Sequence, residues 1–161
     1  MMPENETVNN EILEAALDYA EHGISVIPIL PGEKKDPPIK WKEFQSRIAS
    51  PDEIKRWWKK WPKANVAIVT GGISGIDCID GDGPFALDNL EGQSGVKLPE
   101  TVSQSTGRKS GGKHLIYQYH GDRTLKNWKG FADNGNGSKC DLRTNGGYFV
   151  AAPSVHESGK K

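Results

Sequence analysis

Ile12, Leu13, Ala16, Leu17 and Ala20 recur at three- and four-residue intervals, and Gly23 stands where a left-handed cap would end the last turn. The spacing predicts an amphipathic helix over about residues 10–22, preceded by a flexible N-terminus over about residues 1–9. The apolar run from Ile24 to Leu30 reads as a strand. Pro28, Pro31, Pro37 and Pro38 then turn the chain into a loop that presents the Lys34-Lys35 pair. Ser50-Pro51-Asp52-Glu53 is a helix start with a cap, a first-turn proline and a capping-box glutamate. After it, Ile54, Trp57, Trp58 and Trp61 fall at i, i+3, i+4 and i+7, a stripe that helical spacing assigns to core packing, while Lys55, Arg56 and Lys59 face the other way. Strands are expected over 67–69, 75–80, 101–105, 113–119, 139–144 and 148–152, with a short helix within 83–98 supplied by Phe85, Leu87 and Leu90.

Helices concentrated in the first half and strands in the second predict an α+β fold, a twisted and mainly antiparallel sheet backed by helices. A chain of 161 residues is read as one domain over residues 1–161 with a single proper core. Hydrophobic residues make up 35% of it, and the longest apolar stretch is far shorter than the ~20 residues that span a bilayer, so no membrane is expected among its partners. An acidic N-terminus where a secretory leader would be basic points to the cytoplasm and to reduced cysteines. Cys78 and Cys140 lack the spacing of a zinc site and read as small core residues. Each lies within two residues of an aspartate of interest, so their sulfurs are expected to approach one another.

A formal net charge of zero hides a segregation. Residues 34–63 are strongly basic, whereas residues 77–100 carry Asp77, Asp80, Asp82, Asp88, Glu91 and Glu100 against Lys97 alone. A basic face beside an acidic site suits template binding combined with phosphoryl transfer. Asp80 and Asp82, two apart where an apolar run meets glycines, would project from one face of a strand and offer oxygens to Mg²⁺ or Mn²⁺. The same Asp-Gly-Asp-Gly run is also good turn chemistry. Further along, Ser110-Gly111-Gly112 would let backbone N–H groups approach a phosphate closely, and it leads into His114. As structural alternatives, the glycines make an ordinary turn, His114 is a half-buried strand histidine, and Arg143 pairs with Asp141 on the same strand face. Asp77 falls on the opposite strand face from Asp80 and has no functional reading.

Three motifs in series, Asp80/Asp82, Ser-Gly-Gly-Lys-His ending at His114, and Asp141 before a Gly-Gly-aromatic strand ending Ala-Pro-Ser, resemble the prim-pol domain of the archaeo-eukaryotic primase superfamily. Gly23 to Pro28, Lys34-Lys35, Trp57-Trp58 and the Ala64-Asn65-Val66 to Thr70-Gly71 stretch are similar to the opening half of that family. The resemblance implies an N-terminal αβ unit packed on an RRM-like palm. It also implies a two-metal site of Asp80, Asp82 and Asp141 for Mg²⁺ or Mn²⁺, with Ser110, Gly111, Gly112, His114 and Arg143 at the incoming nucleotide. Lys34, Lys35, Lys55, Arg56 and Lys59 are the expected template contacts. The implied activity is primer synthesis or extension from (d)NTPs on single-stranded DNA in plasmid, phage or mobile-element replication, with a helicase domain or protein as a partner. Relatives usually continue beyond Ala-Pro-Ser, which leaves open a C-terminally truncated fragment and a stand-alone minimal domain. Two other function classes compete: a metal-dependent phosphohydrolase or nuclease using the same carboxylates, and a catalytically silent nucleic-acid-binding module. The Gly-Gly-Lys-His segment favours a triphosphate substrate over simple hydrolysis, and the intact carboxylates favour an enzyme over a silent module.

Overall fold

The computed structural model describes residues 4–32 and 34–156. Helix α1 (Glu4–Glu21) leads into β1 (Val26–Ile29), a single 3-10 turn (Trp41–Gln45) and α2 (Pro51–Lys60). Strands β2 (Asn65–Val69) and β3 (Ile76–Asp82) precede α3 (Ala86–Ser94). The chain continues through β4 (Val102–Ser105), β5 (Gly112–Gln118), β6 (Trp128–Phe131), β7 (Lys139–Arg143) and β8 (Tyr148–Val150). The fold is α+β, as the element order predicts, and the strands pair antiparallel throughout the described residues. Helix α1 starts ahead of the expected boundary, so residues 4–9 are helical; residues 1–3 of the expected flexible terminus lie outside the described residues.

The strands form two sheets, β1-β2-β8 and β4-β5-β3-β7-β6. Both share one bent ribbon: β3 pairs with β7, and beyond the bend β2 pairs with β8. The bend is locked by side chain and backbone together. Thr70 Oγ1 donates to the Thr144 carbonyl at 2.6 Å, and Asn145 Oδ1 accepts the Gly72 N–H at 3.0 Å. At Gly71, φ is +93°, and a Cβ would stand 2.7 Å from Asn145 Cα, so glycine is required on both conformational and steric grounds.

The main core lies against the three-stranded sheet, where Ile12 and Ala16 of α1 and Ile54 and Trp58 of α2 meet Val26, Ile27, Val66 and Phe149. Trp57 and Trp61 pack against it, so the tryptophan stripe is core, and Trp58 Nε1 donates to the Ala64 carbonyl at 3.0 Å. The predicted capping box is present: Ser50 Oγ accepts from the Glu53 N–H while Glu53 accepts from the Ser50 N–H. Pro28 is fully buried inside β1. It is tolerated there because β1 is an edge strand. A smaller core of Ala86, Ala132 and Cys140 sits beneath α3 on one face of the five-stranded sheet. Asp80-Gly81-Asp82 continues β3 and makes no turn.

Replacing Gly71 with Ala should destabilise the protein by more than about 1 kcal/mol, because the new Cβ meets backbone at a positive φ. Urea unfolding should show a lower midpoint at unchanged m; an unchanged midpoint would mean that the bend does not constrain the sheets.

Candidate active site

β3 is the middle strand of the larger sheet, so its residues have neighbours on both sides. Asp80 lies opposite His114 of β5 and Asp141 of β7, and His114 lies opposite Gln104 of β4. One transverse row thus carries Gln104, His114, Asp80 and Asp141. Directly opposed residues project from the same face, and Asp82, two further along β3, joins them. One oxygen from each of Asp80, Asp82 and Asp141 lies within 4.8 Å of the others.

The three carboxylates are not equally satisfied by the chain. Asp141 Oδ1 accepts the Gly130 N–H at 2.7 Å and its Oδ2 accepts from Arg143 Nη2 at 2.8 Å. The β3 pair fares worse, since Oδ1 of Asp80 and Oδ1 of Asp82 are both buried without an aligned hydrogen-bond donor. Each instead has a basic group nearby: Arg108 Nη1 lies 2.5 Å from Asp82 Oδ1, and His114 Nε2 lies 3.3 Å from Asp80 Oδ1. Buried carboxylate oxygens left short of donors are costly, and a cation at the trio would relieve them. Oxygen-only donors suit a hard ion such as Mg²⁺ or Mn²⁺, so the residues fit the expected metal.

Electrostatics separates the two β3 aspartates. Burial pushes the Asp80 carboxyl up, but His114, Arg108 and Arg143 outweigh it and leave the pKa below the ordinary 3.8. At Asp82, burial and then the charge on Asp80 raise the pKa above 3.8 against the pull of Arg108. The two shifts act on stability with opposite sign. Asp82 costs stability as pH rises from 3.8 through its raised value, whereas the stability contributed by ionised Asp80 is present above 3.8 and lost as pH falls through its depressed value.

His114 is buried and oriented from behind. Gln104 Oε1 accepts the Ala152 N–H at 3.0 Å and its Nε2 donates to the Val150 carbonyl at 2.8 Å, which fixes the amide. The same Nε2 lies 2.7 Å from His114 Nδ1, making that nitrogen an acceptor and placing the ring proton on Nε2, toward Asp80. Phe149 meets the imidazole edge-on, with ring centroids 5.2 Å apart.

A cleft of about 630 Å³ opens over this row, lined by Asp80, His114 and Arg143 together with Lys34, Lys35, Arg108 and Lys129. The loop lysines therefore share the cleft with Asp80, whereas Asp82 and Asp141 stand beside Asp80 without lining it. The exposed Lys55, Arg56 and Lys59 on α2 do not line it. Ser110, Gly111 and Gly112 do not line it either. Gly112 serves the backbone: a Cβ there would stand 2.6 Å from Thr106 Oγ1 and 2.9 Å from the Gly81 carbonyl oxygen. Gln104, Arg108 and Lys129 join the site without a sequence signal that singles them out, although Arg108 lies in the same segment as His114.

The two cysteines are free and buried, as expected of core residues, but they belong to separate cores on opposite faces of the sheet, against the expected approach of their sulfurs. Cys78 shares the Asp80 face, whereas Cys140 precedes Asp141 by one residue and so faces the α3 side. Asp77 gains a structural role: His120 contacts it through both its ring Nδ1 and its backbone N–H.

The family model for Prim-Pol, the bifunctional DNA primase/polymerase N-terminal domain, matches residues 16–161. The chain belongs to the Prim-Pol family. No curated protein matches it. Membership implies primase/polymerase activity and binding of nucleotides and DNA, and Prim-Pol domains generally use divalent metals. Among the described residues, no helix is long and apolar enough to cross a membrane.

Asp82→Asn should stabilise the metal-free Prim-Pol domain at neutral pH by up to about 1 kcal/mol, the scale of a relieved like-charge contact on a sheet. The gap between variant and parent should open as pH rises above 3.8, and the variant should lose the rise in melting temperature that Mn²⁺ gives the parent. A gap that does not widen with pH, or a variant that still responds to Mn²⁺, would contradict the charge assignment.

Proposed function

We propose that the cleft carries out metal-dependent, template-directed nucleotidyl transfer from (d)NTPs, extending or starting a primer on single-stranded DNA. The observation that carries this reading is the row together with Asp82: three carboxylates converge on one face beside a histidine N–H and a set of arginines and lysines. Divalent ions bound by such a trio supply stabilisation of the attacking oxygen and of the departing pyrophosphate.

The chain's own residues divide the remaining work. Arg108 and Arg143 each bridge the carboxylates and the cleft, so they neutralise phosphate charge without a side chain moving far. Lys129, Lys34 and Lys35 add positive charge along the walls for the rest of the triphosphate or the template backbone. His114, with its proton on Nε2, donates to a phosphate oxygen, and Gln104 prevents the ring from flipping. The Ser110-Gly111-Gly112 turn acts through this geometry: it returns the chain tightly, so that Arg108 reaches Asp82 and His114 enters in register. Lys55, Arg56 and Lys59 offer the template a second, more distant basic surface. A helicase activity, in the same protein or another, would provide the single strand in plasmid, phage or mobile-element replication.

Labelled dNTP and NTP incorporation on single-stranded template with Mg²⁺ or Mn²⁺, with and without primer, tests the reading. Template-dependent products that vanish in Asp82→Ala are expected. His114→Ala should weaken nucleotide binding about tenfold or more, the scale of a lost hydrogen bond to a charged group, while Mn²⁺ binding persists. Degradation of the strand would instead select a nuclease, and nucleotide or strand binding with neither product a silent module.

A further inference from the structure

β6 is an edge strand of the larger sheet, and it carries the one place among the described residues where two aromatic rings stack face to face. Trp128 and Phe131 lie with ring centroids 4.9 Å apart and planes 26° from parallel. Trp128 is opposite Leu142, so the pair sits on the α3 side of the sheet, away from the carboxylates. Trp128 is nonetheless 61% exposed, a large apolar surface that the fold leaves open. Phe131 pre-orders the indole from behind and leaves its outer face free.

The charge around this platform is one-sided. Residues 121–129 contain Arg123, Lys126 and Lys129 against Asp122 alone, and all four are exposed. Asp122 is occupied locally, accepting from the Thr124 N–H at 2.8 Å and the Thr124 hydroxyl at 2.6 Å. The three basic residues form no ion pair with any described residue. The strand edge is also unsuited to pairing with another strand. Its register shifts between Trp128 and Phe131, Gly130 has φ +67°, and the Gly130 N–H is already given to Asp141. Lys129, the residue after Trp128, lines the catalytic cleft. The platform and the cleft thus meet at adjacent residues, on the two sides of a single edge.

We propose that Trp128, backed by Phe131, is a stacking platform for an unpaired base of a single nucleic-acid strand that rounds the β6 edge from the cleft, with its phosphates against Arg123, Lys126 and Lys129. The inference rests on the reading that the cleft handles a nucleic-acid strand and specifies where that strand runs. Flat aromatic surface plus unpaired positive charge is the combination that binds single strands without reading sequence.

The test measures binding of fluorescein-labelled oligothymidylate to the full chain by anisotropy, in EDTA and without nucleotide, so that neither metal nor chemistry contributes. Trp128→Ala should weaken binding at least about fivefold, the low end for removal of one base stack, and Trp128→Phe should restore most of it. Reversing Arg123 and Lys126 to Glu should lower the log–log salt slope by about 0.7 for each phosphate no longer neutralised. Melting curves of each variant establish that the fold is intact, and the Phe variant keeps the question answerable if the Ala variant unfolds. Parent protein that does not bind the oligonucleotide, or a Trp128→Ala variant that binds it as tightly as the parent, would overturn the platform. So would a shift from dimer to monomer in sedimentation with no change in oligonucleotide affinity, which would make the aromatic pair a self-association surface. A failed incorporation assay with Trp128-dependent binding intact would refute the polymerase reading alone; normal incorporation with Trp128-independent binding would refute the platform alone.

Discussion

The alignment of β3 between β5 and β7 is the constraint on which everything else hangs. Asp80 has His114 on one side and Asp141 on the other, and Gln104 extends the same row one strand further. Residues separated by dozens of positions in the chain are thereby brought to one face of one sheet. A slip of β7 by a single residue would turn Asp141 toward α3 and bring Cys140 or Leu142 to the carboxylates. The register is held from the opposite face, where Cys140 packs with Ala86 and Ala132 beneath α3. Packing on one face thus fixes chemistry on the other.

That arrangement is held at a cost the protein offsets locally. Asp80 and Asp141 are like charges directly opposed on a sheet, a destabilising contact, and Asp82 adds a third carboxylate. Arg143 answers Asp141 and Arg108 answers Asp82, yet the pKa of Asp80 is depressed while that of Asp82 is raised, so the compensation is uneven. A site left partly uncompensated is the condition under which a divalent cation adds most. The bent ribbon at Thr70 and Thr144 completes the cleft, because it carries β8 into the smaller sheet, where Tyr148 and Phe149 border the same space.

Much of this is legible in the sequence because it rests on short-range signals. The period-two spacing of Asp80 and Asp82, the capping box at Ser50 and the helical spacing of Ile54, Trp58 and Trp61 each act within a few residues. Long-range features are not legible in that way. Gln104 sits in a short strand of mostly exposed positions and acquires its role only by facing His114 across the sheet. The register shift in Trp128-Lys129-Gly130-Phe131 breaks strand alternation, which hides β6 and with it Lys129. The expectation for the cysteines fails by one position of parity, because Cys78 shares the parity of Asp80 whereas Cys140 is one residue out of step with Asp141. Charge alone groups Lys55, Arg56 and Lys59 with Lys34 and Lys35, although the fold puts only the latter pair in the cleft. The glycines before His114 suit a phosphate-binding turn by composition, but the tight backbone approach at Gly112 already requires glycine there.

Whether Asp80, Asp82 and Asp141 form one divalent-metal site is decided by crystals of the protein soaked in Mn²⁺ and measured for anomalous scattering. Anomalous density bordered by oxygens of all three aspartates, on the face that carries His114, is the expected result. Density elsewhere, or none at a Mn²⁺ concentration that supports incorporation, would contradict the single-site arrangement.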